Sequence, residues 1–291
     1  MFRAQEVLLN PRLIMAKVRR LLKLSNVILP ILCIGFAHAD TILTLTDGGT
    51  SVTVDPASSA GITSLTINGS ANLLLQQWFW FRTGSTFSNQ SALQTLNTIS
   101  APDTSSSLPD FGIGDILYQN SSFSSELVLN AADCCPAALD SQWTFTNLTS
   151  QQVALTVFQL VHFHLSPGGD SATINGNTAS QTGSAASSQV SVTSVNLTHS
   201  ETADATTLLA QLNNPTTSST FNLNDQSSAT GDVVVAYEWS VLLARSGSPS
   251  SDFALTMQDN ITPAPEPGSM LLIGAGVLAF CCRRFVNRRV L

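Results

Sequence analysis

Basic residues are almost absent from most of this 291-residue chain. No lysine follows Lys23, and residues 40–267 contain 18 Asp or Glu but only two bases, Arg82 and Arg245. A protein that grips phosphate backbones needs a basic face, because release of counterions from the nucleic acid supplies most of that affinity. The sequence therefore excludes nucleic acid as a partner.

Cysteine is also scarce, since Cys134 and Cys135 are the only thiols in residues 40–267. In an oxidising compartment, neither has a third cysteine in that stretch to pair with. A bridge between them would join Cα atoms about 3.8 Å apart, below the usual disulfide range that begins at about 4.4 Å, and would be strained. A vicinal bridge, two reduced thiols and interchain bonds all stay open, and the third is the least favoured.

The first 39 residues have the three parts of a secretory signal. A basic start at residues 17–23 leads into an apolar run at 24–36, and the small residues Ala37 and Ala39 precede Asp40. We predict that signal peptidase cuts directly before Asp40. An N-terminal membrane anchor is set aside, because an apolar run of about 13 residues is too short for a hydrocarbon core of about 30 Å.

A second export pattern lies near the other end of the chain. The tripeptide Pro265-Glu266-Pro267 precedes an uncharged, mainly apolar run at residues 269–282, and two arginines follow at once. An apolar run closed by bases predicts a single transmembrane helix whose arginines stay on the cytoplasmic side. This helix would hold the precursor in the membrane.

This order of elements resembles the PEP-CTERM sorting signal of exported proteins from Gram-negative, biofilm-forming bacteria. The resemblance implies an exosortase as partner, a membrane-embedded cysteine protease that recognises the tripeptide and removes the helix. It also implies that Arg283 and Arg284 form the stop-transfer cluster.

Between these ends, alternation of apolar and polar residues at period two predicts half-buried strands. With hardly a helical pattern to cover a parallel sheet, the fold class is all-β, an antiparallel two-sheet sandwich. One short helix is predicted at 206–214, and the Ser- and Thr-rich stretches 83–110 and 166–188 are predicted as surface loops. The predicted strands lie at 41–46, 51–55, 62–67, 72–82, 113–118, 122–130, 141–147, 152–165, 189–198, 219–223, 231–243 and 252–258.

These patterns divide the chain into three parts. A signal peptide occupies residues 1–39, with Met15 as an alternative start, a β-sandwich ectodomain occupies 40–262, and the sorting segment occupies 263–291. A split of the ectodomain near residue 150 into two smaller sandwiches is the alternative. One domain is favoured, because no linker-like composition separates the halves.

Two histidines on a predicted strand are candidate metal ligands. His162 and His164 are two residues apart, so their side chains share a face. The first acid downstream, Asp170, does not have the spacing of a His-x-His site completed by a glutamate. Histidines without a metal are therefore the favoured interpretation, and no cofactor is expected.

Two tryptophans are the candidate ligand platform. Trp78 and Trp80 share one face of a predicted strand and would stack against sugar rings if they were exposed. Burial is the favoured interpretation, because a central strand with aromatics on both faces is typical of a sandwich core. The neighbouring Arg82 is expected to pair with a carboxylate.

The segments WFWFR at 78–82, FQLVHFHL at 158–165 and AYEWSVLL at 236–243 resemble an uncharacterised group of PEP-CTERM proteins, which implies a coherent ectodomain and no particular activity. No catalytic motif is present, so a non-enzymatic protein is predicted. We expect a cell-envelope or extracellular-matrix protein of structural or interaction type, sorted to the surface or matrix of a Gram-negative bacterium. The alternative is a carbohydrate-binding sandwich for exopolysaccharide, and a polysaccharide hydrolase is a third hypothesis.

Overall fold

The structure is a computed structural model that describes residues 42–84, 90–100, 112–132, 137–193, 197–213 and 221–264. These residues form strands, one α-helix and a single 3-10 turn at Leu93–Thr95. The prediction of an all-β, antiparallel fold is confirmed, because the strands pair into two largely antiparallel sheets. The strands are β1 (Leu43–Asp47), β2 (Thr50–Asp55), β3 (Gly61–Ile67), β4 (Leu74–Thr83), β5 (Ser91–Ala92), β6 (Asn97–Ser100), β7 (Gly112–Gln119), β8 (Phe123–Ala132), β9 (Ala137–Asn147), β10 (Val153–Phe163), β11 (Asp170–Asn175), β12 (Thr178–Thr182), β13 (Ala186–Thr193), β14 (Leu197–Asp204), β15 (Ser228–Gly231), β16 (Val233–Leu243) and β17 (Asp252–Pro263).

Two sheets share these strands. Sheet A has the order β1-β2-β3-β4-β10-β16-β14, with β5 paired to β4, and sheet B has the order β15-β11-β12-β13-β17-β9-β8-β7-β6. The contact between β3 and β4 is parallel, and the remaining pairs are antiparallel. Both sheets take strands from before and after residue 150, so the two halves of the chain are interleaved.

Aromatic side chains fill the space between the sheets. Phe79 on β4 stacks on Trp143 of β9 with ring centroids 4.9 Å apart, and Phe81 lies 5.4 Å from Phe145. These rings lie at alternate positions of their strands, as the period-two pattern predicts. Offset aromatic pairs of this kind add to the free energy gained from burying the rings.

The helix α1 (Ala205–Asn213) confirms the prediction of a short helix at 206–214. Asp204 caps its first turn, since its Oδ1 accepts a hydrogen bond from the Thr207 amide at 2.9 Å. That bond is the main reason why the pKa of Asp204 lies below its usual value. Ala205, Leu208 and Leu212 form the buried stripe at helical spacing.

Several loop and strand assignments made from the sequence are wrong in part. The predicted loop 83–110 contains β5, the 3-10 turn and β6. The predicted strand 189–198 covers the end of β13 and the start of β14, which belong to different sheets. The stretch 166–188 contains β11, β12 and the start of β13, where Ala, Ser and Gln occupy inward positions that no hydrophobic alternation indicates. Residues 221–223, within the predicted strand 219–223, have no ladder pairing. That segment is held by side chains instead.

Several predictions concern residues outside the described ranges. They are the signal peptide with Ala37, Ala39 and Asp40, the thiols Cys134 and Cys135, the motif Pro265-Glu266-Pro267, the helix at 269–282, and Arg283 and Arg284. Within the described ranges, no helix is long and apolar enough to cross a membrane.

Candidate functional site

One face of sheet A is covered by a chain segment that we call the strap (residues 221–227). The covered face is the outer one, because Tyr237 and Trp239 at alternate positions of β16 point inward: the Trp239 ring lies 6.4 Å from Phe253 of sheet B. Glu238, between them, therefore points outward. A ring contact of 5.5 Å between Phe158 and Phe221 joins the sheet to the strap.

Arg82 anchors the start of the strap. Its side chain is 4% exposed and donates hydrogen bonds to the Phe221 carbonyl oxygen at 2.8 Å and to Asn222 Oδ1 at 3.2 Å. Burial lowers the pKa of Arg82, and the nearby Glu238 partly offsets that effect. We expect from the sequence that Arg82 contacts a carboxylate directly, and this expectation is wrong. Its hydrogen bonds go to the strap and to Thr156 instead.

Two buried glutamates hold the next residues of the strap. Glu238 Oε2 accepts the Leu223 amide at 2.9 Å, and Glu201 Oε2 accepts the Asn224 amide at 2.7 Å. Burial raises the pKa of Glu238, while the Leu223 amide, His199 and Arg82 lower it in part. The charges on this face thus bind the protein's own backbone.

Two histidines of sheet A also contact carboxylates near this face. His199 Nδ1 lies 2.8 Å from Asp225 Oδ2, and this hydrogen bond is the largest cause of the lowered pKa of Asp225. His162 Nε2 lies 2.7 Å from Asp232 Oδ1. The His199 contact joins β14 to the strap, whereas the His162 contact joins β10 to Asp232, which lies between β15 and β16.

The two candidate metal ligands do not form a metal site with a third residue. His162 is 7% exposed and contacts Asp232, whereas His164 is exposed and follows the end of β10. The described part of the chain holds no group of three or more His, Cys, Asp or Glu side chains that could bind a metal. The arrangement is that of one histidine paired with one carboxylate.

The two candidate glycan-stacking residues are buried. Trp78 is 0% exposed and Trp80 is 1% exposed, so the hypothesis of an exposed platform at these positions is wrong. The Trp78 ring packs directly on Gly61, where a Cβ atom would lie 1.8 Å from the ring carbon Cε3. Each indole also donates a hydrogen bond: Trp78 donates to Gln94, and Trp80 donates to Asn213. These contacts fix both rings in the core.

The outer face of sheet B has exposed side chains on its central strands among the described residues, in contrast to the face of sheet A that the strap covers. The register aligns one row of side chains across four strands: Thr193 of β13, Thr256 of β17, Gln142 of β9 and Val128 of β8. Gln142, Thr193 and Thr256 are exposed. Three of the four members of this row are polar and uncharged.

A second row lies two residues further along the same strands. It consists of Ser191, Gln258, Asp140 and Asn130. Together the two rows line a groove of about 370 Å³. We call this feature the polar groove, and it contains one carboxylate, that of Asp140.

The polar groove was not predicted from the sequence. The strands β9 and β17 were predicted in part, and alternation already assigns Gln142 and Gln258 to their outward faces. The alignment of the rows depends on how β13, β17, β9 and β8 pair, which alternation within one strand does not indicate. The polar residues at outward positions are therefore the one signal in the sequence that indicates the groove.

Directly behind the groove, β17 places a carboxyl group between the sheets. Asp259 is 0% exposed, and neither of its oxygens has a hydrogen bond of ordinary geometry within the described residues. Burial raises the pKa of Asp259 to about 8, with a smaller raising effect from Asp140 and a lowering effect from the Gln77 amide. The carboxyl group is therefore largely protonated at neutral pH.

Comparison with known proteins gives one motif match and distant structural similarity. The model of the PEP-CTERM protein-sorting motif matches residues 263–284. A search of curated proteins found no match.

Solved structures match this chain at very low identity. The Slr1438 protein from Synechocystis sp. PCC 6803 is 9% identical with a TM-score of 0.44, over 77% of this chain and 96% of that one. A putative aldose 1-epimerase from Escherichia coli K12 is 9% identical with a TM-score of 0.41, over 77% and 99% of the two chains. Aspergillus nidulans amine oxidase is 6% identical with a TM-score of 0.48, over 76% and 54%.

Proposed function

We propose, because the chain carries a PEP-CTERM protein-sorting motif at residues 263–284, that it is an exported protein which an exosortase processes and sorts. Its place is the cell surface or extracellular matrix of a Gram-negative bacterium, and its role is of structural or interaction type. Signal peptidase removes residues 1–39, and the helix at 269–282 holds the precursor in the membrane until the exosortase acts.

The position of the motif relative to the fold supports this proposal. The last strand, β17, ends at Pro263, and the Ala264 amide still donates to the Ala185 carbonyl oxygen at 2.8 Å. The tripeptide Pro265-Glu266-Pro267 follows at the next residue. A cut after this point leaves every strand of both sheets in place, so the folded domain survives removal of the tail.

Processing in a host that contains an exosortase tests the proposal. Replacing Pro265, Glu266 and Pro267 by alanine should leave the precursor uncut and in the membrane fraction, as seen by mass on a denaturing gel and by cell fractionation. The matched control replaces Ser248, Pro249 and Ser250 by alanine in a turn where the backbone makes the hydrogen bonds. Unchanged cleavage and location of the tripeptide variant would overturn the proposal.

The carbohydrate-binding alternative needs a surface other than Trp78 and Trp80, since both are buried. The hydrolase hypothesis needs two carboxyl groups facing one another across an open site. The polar groove has one, Asp140, and so favours binding over hydrolysis.

A further inference from the structure

We propose that the polar groove on the outer face of sheet B binds a neutral polysaccharide chain. This proposal gives a ligand class to the interaction role stated above, and it does not depend on sorting by an exosortase. The two rows of side chains that line the groove carry the argument.

The polar side chains in the groove are free to bind a ligand. Within the described part of the chain, none of the side chains in the two rows makes a hydrogen bond to another protein group. Within the described residues, two buried oxygens beside the groove have no hydrogen-bond partner: Asn130 Oδ1, and Oδ1 of Asp115, which pairs with Val128 in the sheet. Gln142, Gln258, Thr193 and Thr256 are exposed, so a ligand in the groove can reach their donors and acceptors.

The chemistry of the rows matches sugar hydroxyl groups. The amides of Gln142 and Gln258 and the hydroxyls of Thr256 and Ser191 each provide both donors and acceptors, as a sugar hydroxyl also does. The Asp140 carboxylate accepts hydrogen bonds at two oxygens. A groove with this composition can pair with successive hydroxyl groups along one chain.

The charges around the groove select a neutral polymer. Asp140, Asp115 and Glu126 lie on β9, β7 and β8, while neither of the two bases in the domain, Arg82 and Arg245, lies on these strands. An anionic polysaccharide would meet carboxylates without a cation to compensate them, which costs free energy. A neutral chain meets no such repulsion.

The groove is also unlike a protein-binding surface. The centres of protein interfaces are enriched in aromatic residues, methionine and arginine, whereas Val128 is the single apolar side chain among those that line this groove. The four strands it crosses place its ends about 14 Å apart at a spacing of about 4.8 Å per strand. That span exceeds the length of one sugar ring, which favours a polymer over a monosaccharide.

Affinity electrophoresis of the full-length protein, purified in mild detergent, tests this proposal. Native gels would contain dextran, galactomannan, xylan or hydroxyethyl cellulose as neutral probes, and alginate as the anionic probe. Retardation by at least one neutral polymer and none by alginate is the expected result. Absence of retardation by all four neutral polymers, or equal retardation by alginate, would overturn the proposal.

A variant locates the binding. The double substitution Gln142→Ala and Gln258→Ala removes two amides from the groove and should weaken binding about tenfold or more. The control is Gln151→Ala with Gln152→Ala, two exposed glutamines in the loop before β10, which should bind like the wild type. Circular dichroism and the urea midpoint of each variant verify its fold.

Equal binding by the groove variant and the wild type would contradict the proposal. So would a wild-type dimer that the groove substitutions dissociate in the absence of any glycan binding, since the face would then be an interface between two copies. Sorting and binding fail separately: the alanine variant of the tripeptide leaves the groove intact, and the groove variant leaves the tripeptide intact.

Discussion

The outer face of sheet A and the strand β17 of sheet B use polar residues in opposite ways. On sheet A, Arg82, Glu201 and Glu238 are buried, and each binds the backbone of the strap. On β17, Gln258 faces the groove and Asp259 faces the core, and neither has a protein hydrogen bond of ordinary geometry within the described residues. The buried charges on sheet A thus serve the fold, whereas the exposed Gln258 amide is available to a partner and the buried Asp259 carboxyl group is not.

The largest effect is expected from pH, through Asp259. Its pKa is about 8 in the folded protein against 3.8 for a free side chain, so between these values the folded state binds one proton more than the unfolded state. The protonated Asp259 therefore contributes its full stabilisation below about pH 4, and this contribution is lost by about pH 8. Over that range the free energy of unfolding falls by at most about 1.4 kcal/mol per pH unit. Asp259→Asn, which keeps the group neutral, should remove this slope.

Urea unfolding at several pH values measures that contribution as the difference between wild type and Asp259→Asn. The variant should gain stability relative to the wild type by several kcal/mol from pH 4 to pH 8. Asp252→Asn is the control, because Asp252 lies on the same strand and is exposed. A difference between wild type and Asp259→Asn that stays constant with pH would contradict the raised pKa.

The next effect is expected from loss of the strap's main anchor. Arg82→Ala leaves the Phe221 carbonyl oxygen and the Asn222 side chain without their donor, and should lower the free energy of unfolding by about 2–4 kcal/mol. Arg245→Ala removes the other base of the domain from an exposed position and should change it by less than about 0.5 kcal/mol. Denaturant unfolding at pH 7 provides both values.

Similar losses from the two arginine variants would mean that the strap does not depend on Arg82. Hydrogen exchange measures the opening of the strap directly, because the amides of Leu223 and Asn224 donate hydrogen bonds to Glu238 and Glu201. They should exchange faster in Arg82→Ala than in Arg245→Ala.

The sequence predicts the aromatic strands well and the polar features poorly, for a physical reason. Strands such as β4 and β16 have large apolar residues on their inward positions, so alternation reveals them. In β11–β13 the inward positions include Ala172, Gln181 and Ser188, which are too small or too polar to stand out. No sequence pattern predicts the strap, because side chains from distant strands hold its backbone in place.

The candidate site shows the same division. Trp78 and Trp80 attract attention because large aromatics are conspicuous, yet their size is what places them in the core. Gln142 and Gln258 are 116 positions apart and become neighbours through the pairing of Gln142 with Thr256 on β17. Pairing between distant strands is a property of the whole fold, so a local pattern cannot indicate it.

The smallest effect is expected on the open face, and it sharpens the contrast with sheet A. The double substitution Gln142→Ala and Gln258→Ala should change the free energy of unfolding by less than about 0.5 kcal/mol, because neither side chain has a hydrogen bond to another group of the described residues. Gln181→Ala is the matched control in the same sheet, since its buried amide donates to Asp170 Oδ2 at 2.8 Å and to the Phe163 carbonyl oxygen at 3.2 Å. Loss of the Gln181 amide should lower the free energy of unfolding by about 1–3 kcal/mol.

Urea unfolding of these variants separates two roles that a glutamine can have in one sheet. If the groove variant loses as much stability as Gln181→Ala, the groove residues serve the fold, and the division between structural and available polar groups fails. If it stays as stable as the wild type, the fold does not account for polar side chains at these positions. Their donors and acceptors are then paired with water and available to a ligand, and the binding assay with the same double variant decides whether a polysaccharide uses them.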